Sequence, residues 1–367
     1  MTSIRKLAVL LFHILPYDIE KKIEVFIYRY LLKKNNNLYA YFIKKNNNSH
    51  NKYCIFRFCR PDLSLFSAAC EYIFRAEFAK KKGFIPLIDI EFKDVFRRGE
   101  LFEANMWDLV FSQYEETQDV IDGKNYVVVE MVGGILSVDE LTCKKINKRA
   151  DVHNIMIVEN NWRDYYKKTN ELANKYWRIK PEILQICDKF IQDNFADTDV
   201  VLGIMLREEF SSKVYDAVEG ENKRILLEHP ILPELDEIIE IIKKLMKKWK
   251  CNKLFISTMY KSSVELFAKE FDNSLYYVNR KFRLDAGEDK TRIDRNLTDK
   301  QQYEQYCKNK QMYDDEIKRY VCDTVILSKL NYFAVTHCRG SAAALTINGG
   351  NYVDVFFIEN KRDSPLY

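Results

Sequence analysis

Several common signatures are missing from this 367-residue chain, and each absence closes off a class of function. No GxGxxG and no GxxxxGK[ST] occurs, so the commonest dinucleotide and P-loop nucleotide readings lose their support. No CxxC pair occurs. Nine cysteines (54, 59, 70, 143, 187, 251, 307, 322 and 338) are scattered, odd in number and partly set in apolar runs. That usage reads as buried free thiols in a reducing compartment rather than a disulfide framework or a zinc site. The five histidines are too far apart in sequence to suggest a metal centre. No apolar run reaches bilayer length, and no fixed-period repeat appears. The net charge of +4 is too small to imply nucleic acid, although it suits an anionic ligand or surface.

What is present describes a globular α/β protein. Hydrophobic residues make up 47% and charged residues 31%, and the length favours two domains. The aromatic share is high at 14%. Residues 1–50 carry nine Lys/Arg against three Asp/Glu around the short apolar run Leu7–Leu15. The sequence after that run offers no small-residue cleavage site, which argues against secretion. Two readings fit this segment: a peripheral hold on the anionic cytoplasmic leaflet, or a helix packed on the protein's own core. The runs at 35–37 and 46–48 are all asparagine and mark loops.

From Tyr53 strands and helices alternate. YCIFRF predicts a strand, LFSAACEYIFRAEFAKKK a helix closing at Gly83, and FIPLIDI a second strand, which together make a βαβ unit. After the aromatic stretch ANMWDLVFSQ comes a strand at NYVVVEM, and residues 136–197 read mainly as helix. A second alternation starts at Asp199. VVLGIMLR is a strand, PELDEIIEIIKKLMKKWK a helix with an acidic first turn and a basic last turn, and KLFISTM a strand. Then follow the helix KSSVELFAKEF, the strand SLYYVN and a polar stretch over 280–311. The helix DEIKRYVCDTVILSKL, the strand YFAVTH, a helix from GSAAALTI and the strand YVDVFFIE complete the chain. This pattern predicts an N-terminal segment (1–50) and two Rossmann-like domains (51–197 and 198–367) whose parallel sheets face a central cleft.

If the second sheet is parallel, three strand ends converge, and ligands bind beyond such ends. The first brings Arg207, Glu208 and Glu209; the second Ser257, Thr258 and Tyr260; the third Thr336, His337, Arg339, Gly340 and Ser341. An arginine delivered by a buried strand is well placed to grip a phosphate or carboxylate with its fork. A Gly-Ser pair opening a helix of small residues offers first-turn amides and a positive dipole end to a diphosphate. Solvated charges at Arg207 and a helix packed closely on its sheet at GSAAA are the plainer readings of the same residues. Likewise Asn105 and Trp107 suit either core packing or stacking on an acceptor sugar.

The order strand–LR, HPILPELDEIIEIIKKL, KLFISTMYKSSVELFAKEFDNSLYY, DTVILSKLNYFAVTHCRGSAAALTINGG resembles the fucosyltransferase-like clan of GT-B glycosyltransferases. Within it, the chain is most similar to bacterial capsule and O-antigen members related to α-1,6-fucosyltransferases. RPDLSLFS, GFIPLIDIEF and NMWDLVFSQ resemble further segments of those enzymes, and the resemblance spans roughly residues 53–360. The clan's first motif, H-x-R-x-x-D, reads here Met205-Leu206-Arg207-Glu208-Glu209-Phe210. The arginine that the clan uses on the donor diphosphate is kept, while Met205 and Phe210 replace the histidine and the acid. In the second motif Thr258 stays but Met259 and Tyr260 follow it; the third, a phosphate turn, is kept as Gly340-Ser341.

The resemblance implies an inverting, metal-independent glycosyltransferase without a cofactor. It would be cytoplasmic, moving a sugar from a nucleotide-diphosphate donor, GDP-fucose among the candidates, to a glycan or lipid-linked oligosaccharide. Arg207, Thr258, Arg339, Gly340 and Ser341 would bind the donor, and Glu208, Glu209 or Asp62 would serve as base. The changes at 205 and 210 keep two alternatives open: a catalytically degenerate scaffold of envelope polysaccharide assembly, and another GT-B-like transferase such as a pyruvyl transferase.

Overall fold

The computed structural model describes residues 40–43, 52–58, 65–81, 83–90, 105–115, 119–120, 125–131, 155–208, 211, 230–280, 282, 304 and 307–362. Expectations for residues 1–39, for Asp62 and for Glu209 fall outside that set. The chain divides into two compact units. One holds residues 1–154, 176–178 and 293–314, and the other 155–175, 179–292 and 315–367.

The first unit is built on a four-stranded sheet of order β1-β5-β2-β3, made of β1 (Ala40–Ile43), β2 (Lys52–Phe58), β3 (Ile85–Ile90) and β5 (Asn125–Met131). β2 runs parallel to both β3 and β5, as the βαβ reading requires, but β1 pairs antiparallel with β5. The sheet is therefore mixed and not purely parallel. The reason lies in connectivity: an added strand that does not arrive through a crossover is free to run either way. Helix α1 (Leu65–Lys81) crosses from β2 to β3 with an apolar face of small residues, Ala68, Ala69 and Ala76, that lets it lie close to the sheet.

The aromatic stretch explains itself here. Asn105 Oδ1 accepts from Ile90 N and from Trp107 N, both at 3.0 Å, while its Nδ2 donates to Ile88 O at 2.8 Å. Gln113 Oε1 accepts from Ile88 N at 2.8 Å. These two amides satisfy the open edge of β3, which would otherwise leave backbone groups unpaired. Between them a 3-10 turn over Met106–Leu109 sends Trp107 inward, where it is 1% exposed. Its ring lies 4.2 Å from Phe111 and 5.3 Å from Tyr72, centroid to centroid. Of the two readings left open for Asn105 and Trp107, the structure takes core packing. Phe111 and Ser112 form β4, which pairs with the short β6 (Arg178–Ile179).

The second unit is a five-stranded sheet of order β11-β10-β7-β8-β9, parallel throughout. The strands are β7 (Val201–Met205), β8 (Lys253–Ser257), β9 (Leu275–Tyr276), β10 (Tyr332–Val335) and β11 (Asp354–Phe357). The remaining helices of the chain are α2 (Trp162–Tyr176), α3 (Pro181–Asn194), α4 (Leu235–Trp249), α5 (Lys261–Phe271), α6 (Lys310–Ser328) and α7 (Arg339–Asn348). Alternate residues of the sheet face different helices. Leu202, Ile204, Leu254 and Ile256 pack in one cluster with Ile238, Ile239, Ile242 and Leu245 of α4 and Phe267 of α5. Gly203 faces α6, and a Cβ there would stand 2.6 Å from Leu327 Cδ2, so only glycine lets that helix come so near.

The sequence reading sets the domain divide at 198; the second unit instead begins at Ile155. The helices over 162–194 bring apolar and polar partners to the second sheet, which explains the difference. Phe190 of α3 meets Phe255 of β8 edge to face at 5.6 Å, and Asn170 of α2 donates to the carbonyls of Thr346 and Ile347 at the end of α7. Sequence position places those helices in the first half; their contact faces place them in the second unit.

Helix α4 carries a capping box at its start, with Glu234 N donating to Glu237 Oε2 at 2.9 Å. It ends at Lys250 with φ 54°, a left-handed conformation that costs a side chain about 1–2 kcal/mol. Lys250→Gly is therefore expected to stabilise the protein by about 1 kcal/mol, read as a raised midpoint in urea unfolding.

Candidate functional site

The carboxyl ends of β10, β7 and β8 lie side by side, because these are adjacent parallel strands. Polar bonds stitch the three ends together. Thr336 Oγ1, just beyond β10, donates to Met205 O at 2.7 Å, and Leu206 N donates to Ser257 O at 2.8 Å. The Thr258 hydroxyl donates to Glu208 Oε1, and Thr258 Oγ1 also accepts from Tyr260 N at 3.1 Å. Arg207, half-buried, thus leaves β7 between two fixed points, Met205 and Glu208.

The N-terminus of α7 adjoins the same edge. Cys338 is its N-cap, with the thiol sulfur accepting from Ser341 N at 3.4 Å. The Ser341 hydroxyl is fully buried, 3.2 Å from both Thr336 Oγ1 and Cys338 Sγ. Met205 Sδ lies 3.6 Å from Cys338 Sγ. A Cβ on Gly340 would come within 2.3 Å of Met205 Sδ and 2.4 Å of Tyr320 Oη. The space that the missing side chain frees is thus filled by the protein itself. Gly340→Ala is expected to destabilise the fold by about 1–3 kcal/mol, measured by thermal unfolding, since the methyl group must displace the buried Met205 and the half-buried Tyr320.

The residues singled out from the sequence therefore take different places. Arg207, Glu208 and Thr258 lie just beyond the ends of β7 and β8, Gly340 and Ser341 lie in the first turn of α7, and Glu209 is outside the described residues. Glu208 is buried, with one carboxylate oxygen bonded to Thr258, which suits it to hold the β7 and β8 ends in register. Arg339 donates through Nη1 to Ile155 O at 2.6 Å, so it also ties the 155–159 segment to α7. His337 faces Glu159 at 3.8 Å.

A further polar group borders the site unread from the sequence. Asp323 of α6 is 1% exposed, accepts from Ser257 Oγ at 2.7 Å and forms an ion pair with Arg280. Burial raises its pKa, while the guanidinium of Arg280 and the bond from Ser257 act in the opposite direction. Asp323 sits in a run that reads simply as a helix, and Arg280 opens a polar stretch that reads as a loop. Neither carries a local signal, since only the packing of α6 under β8 brings them together.

Chemically, the arrangement offers a guanidinium and a helix N-terminus on neighbouring ends of a parallel sheet, which is a place for an anion. Among the described residues no helix is long and apolar enough to cross a membrane, and no cluster of three or more His, Cys, Asp or Glu could hold a metal.

No protein-family model and no curated protein matches the chain. Among solved structures it is similar to the NodZ α-1,6-fucosyltransferase soaked with GDP-fucose, at 10% identity and a TM-score of 0.42, over 81% of this chain and 93% of that one. The fucosyltransferase NodZ from Bradyrhizobium gives 11% and 0.42, over 80% and 92%. POFUT1 in complex with GDP-fucose gives 10% and 0.43, over 86% and 99%. At that level the likeness is one of chain course, and what this chain does has to be read from its own site residues.

Proposed function

We propose that the chain is a glycosyltransferase that takes a sugar from a nucleotide-diphosphate donor. The observation that supports this reading is the stitched set of strand ends: Arg207 follows β7 between Met205, bonded to Thr336 ahead of α7, and Glu208, bonded to Thr258. As the anomeric C–O bond breaks, negative charge grows on the leaving diphosphate. Arg207 and the first-turn amides of α7 neutralise it in place of a metal. An acceptor hydroxyl attacks the anomeric carbon from the opposite face, losing its proton to a carboxylate, and the linkage inverts. Glu208 serves by fixing Thr258 beside the donor, which leaves the base to Glu209 or Asp62. Ser341, with its hydroxyl turned to Thr336 and Cys338, shapes the turn whose amides bind.

The first donor to try is GDP-fucose, on the sequence resemblance, with a glycan or lipid-linked oligosaccharide of a bacterial capsule or O-antigen as acceptor. A peripheral hold of residues 1–50 on the cytoplasmic leaflet would bring the enzyme to a lipid-linked acceptor. A thermal-shift panel of nucleoside diphosphates and nucleotide sugars tests the donor reading. Stabilisation by one nucleoside diphosphate and its sugar conjugates is expected; no shift across the panel, with calorimetry equally silent, overturns it.

A further inference from the structure

We infer that the lysine-rich end of α4 is a docking surface for an anionic lipid bilayer. The helix closes with the run KKLMKKWK, and no arginine occurs between Leu235 and Lys253. Lys244, Lys247 and Lys248 follow one another at helical spacings of three and four, so they share one face. That face is turned away from Ile238, Ile242 and Leu245, which are buried against the sheet. Lys250 follows at the left-handed cap, and all four lysines are exposed.

The neighbouring carboxylates are already engaged. Glu240 and Glu270 both pair with Lys243, at 3.0 and 2.7 Å, and Glu237 pairs with Lys361 at 2.5 Å. Among the described residues no carboxylate oxygen lies within 4.0 Å of Lys244, Lys247, Lys248 or Lys250. Cations in a last turn offset the helix dipole, but that effect falls off within the turn and does not account for Lys244. The end that carries them is held firmly. Cys251 N donates to Met246 O at 2.9 Å and Asn252 N to Val200 O at 3.1 Å, while the half-buried Trp249 stacks on Tyr332 with ring centroids 4.6 Å apart.

An anionic leaflet complements this charge, each lysine near its surface raising partition by about fivefold. Lysine suits so diffuse a field, because its ammonium is a point charge on a flexible stem. Nucleic-acid surfaces add arginine forks and open rings on which bases stack. Here arginine is absent, and the one indole of the helix has a face on Tyr332 with Lys248 Nζ 5.5 Å from its centroid. Helix α4 leads directly into β8, so its end lies at the amino edge of the second sheet, whereas the candidate site lies at the carboxyl edge. Docking through α4 therefore leaves the site open and does not depend on what the site binds.

The test floats full-length protein with phosphatidylcholine vesicles that contain or lack about one-third phosphatidylglycerol. Binding is expected to the anionic vesicles alone and is expected to fade at about 0.5 M salt, where screening is strong. The triple variant Lys244→Gln, Lys247→Gln, Lys248→Gln is expected to weaken partition by about 10²-fold with its thermal unfolding unchanged. A control triple, Lys167→Gln, Lys168→Gln, Lys308→Gln, removes the same charge from exposed positions elsewhere and is expected to stay close to the parent. An equal loss in the control overturns the proposal, since total charge would then explain the binding. So does equal partition of the parent into neutral vesicles, or of the α4 variant and the parent into anionic ones. A parent that ignores the vesicles and binds single-stranded RNA through these lysines overturns it as well.

Discussion

Arg207→Ala is expected to lower turnover by about 10²–10³-fold, the usual loss when one preorganised donor to a developing anion is removed. Binding of the nucleoside diphosphate should weaken less, by about 10- to 100-fold, since a charge-assisted bond contributes about 1.5–3 kcal/mol in the ground state. The difference follows from charge: the leaving phosphate is more negative in the transition state than in the bound donor, so the guanidinium acts more strongly there. Arg207→Lys keeps the charge but not the planar fork, and should recover only part of the rate. Initial rates alongside calorimetry supply both quantities. If neither changes in Arg207→Ala, this arginine is a solvated strand-end charge and the donor site lies elsewhere.

Trp107→Ala is expected to destabilise the protein by about 3–5 kcal/mol, the range for deleting a large buried aromatic. The indole is 1% exposed and lies against Phe111 and Tyr72, so its removal leaves a cavity those rings cannot close. Trp107→Phe should cost less because part of the stacking survives. Urea unfolding followed by far-ultraviolet circular dichroism measures both. A variant as stable as the parent, with a raised KM for acceptor, would return Trp107 to the role of a sugar platform. Asn105→Ala adds a separate check on the edge of β3: the backbone N–H of Ile90 and carbonyl of Ile88 lose their partner there.

Much of the architecture could be read directly because its causes are local. A strand buried on both faces must be a continuous apolar run, and Val201–Met205 is one. Helix α4 shows its ends in Glu234–Glu237 and in its lysine-rich last turn, and its buried face in Ile238, Ile242 and Leu245. The crossovers from β2 to β3 and from β7 to β8 follow from a strand, a helix and a strand in succession, because parallel neighbours need such a connection. The convergence of Arg207, Thr258 and the 336–341 turn was equally legible, since a parallel sheet puts every strand end on one edge.

The α/β alternation, the parallel second sheet and the edge that carries the candidate site are thus readable from local residues. Which of those residues hold the edge together is set by packing among distant parts of the chain. Ser341 has a phosphate-binding residue's chemistry, yet its hydroxyl turns inward to Thr336 and Cys338. Gly340 reads as half of a phosphate turn, yet Met205 and Tyr320 fill the space beside it. Asp323 joins Ser257 and Arg280 from 66 and 43 residues away, and helices 162–194 belong to the sheet that follows them. The physical reason is common to all four. Alternation and strand direction are set by neighbours along the chain, whereas side-chain orientation and packing partners depend on groups distant in sequence that meet only once the sheet is closed on its helices.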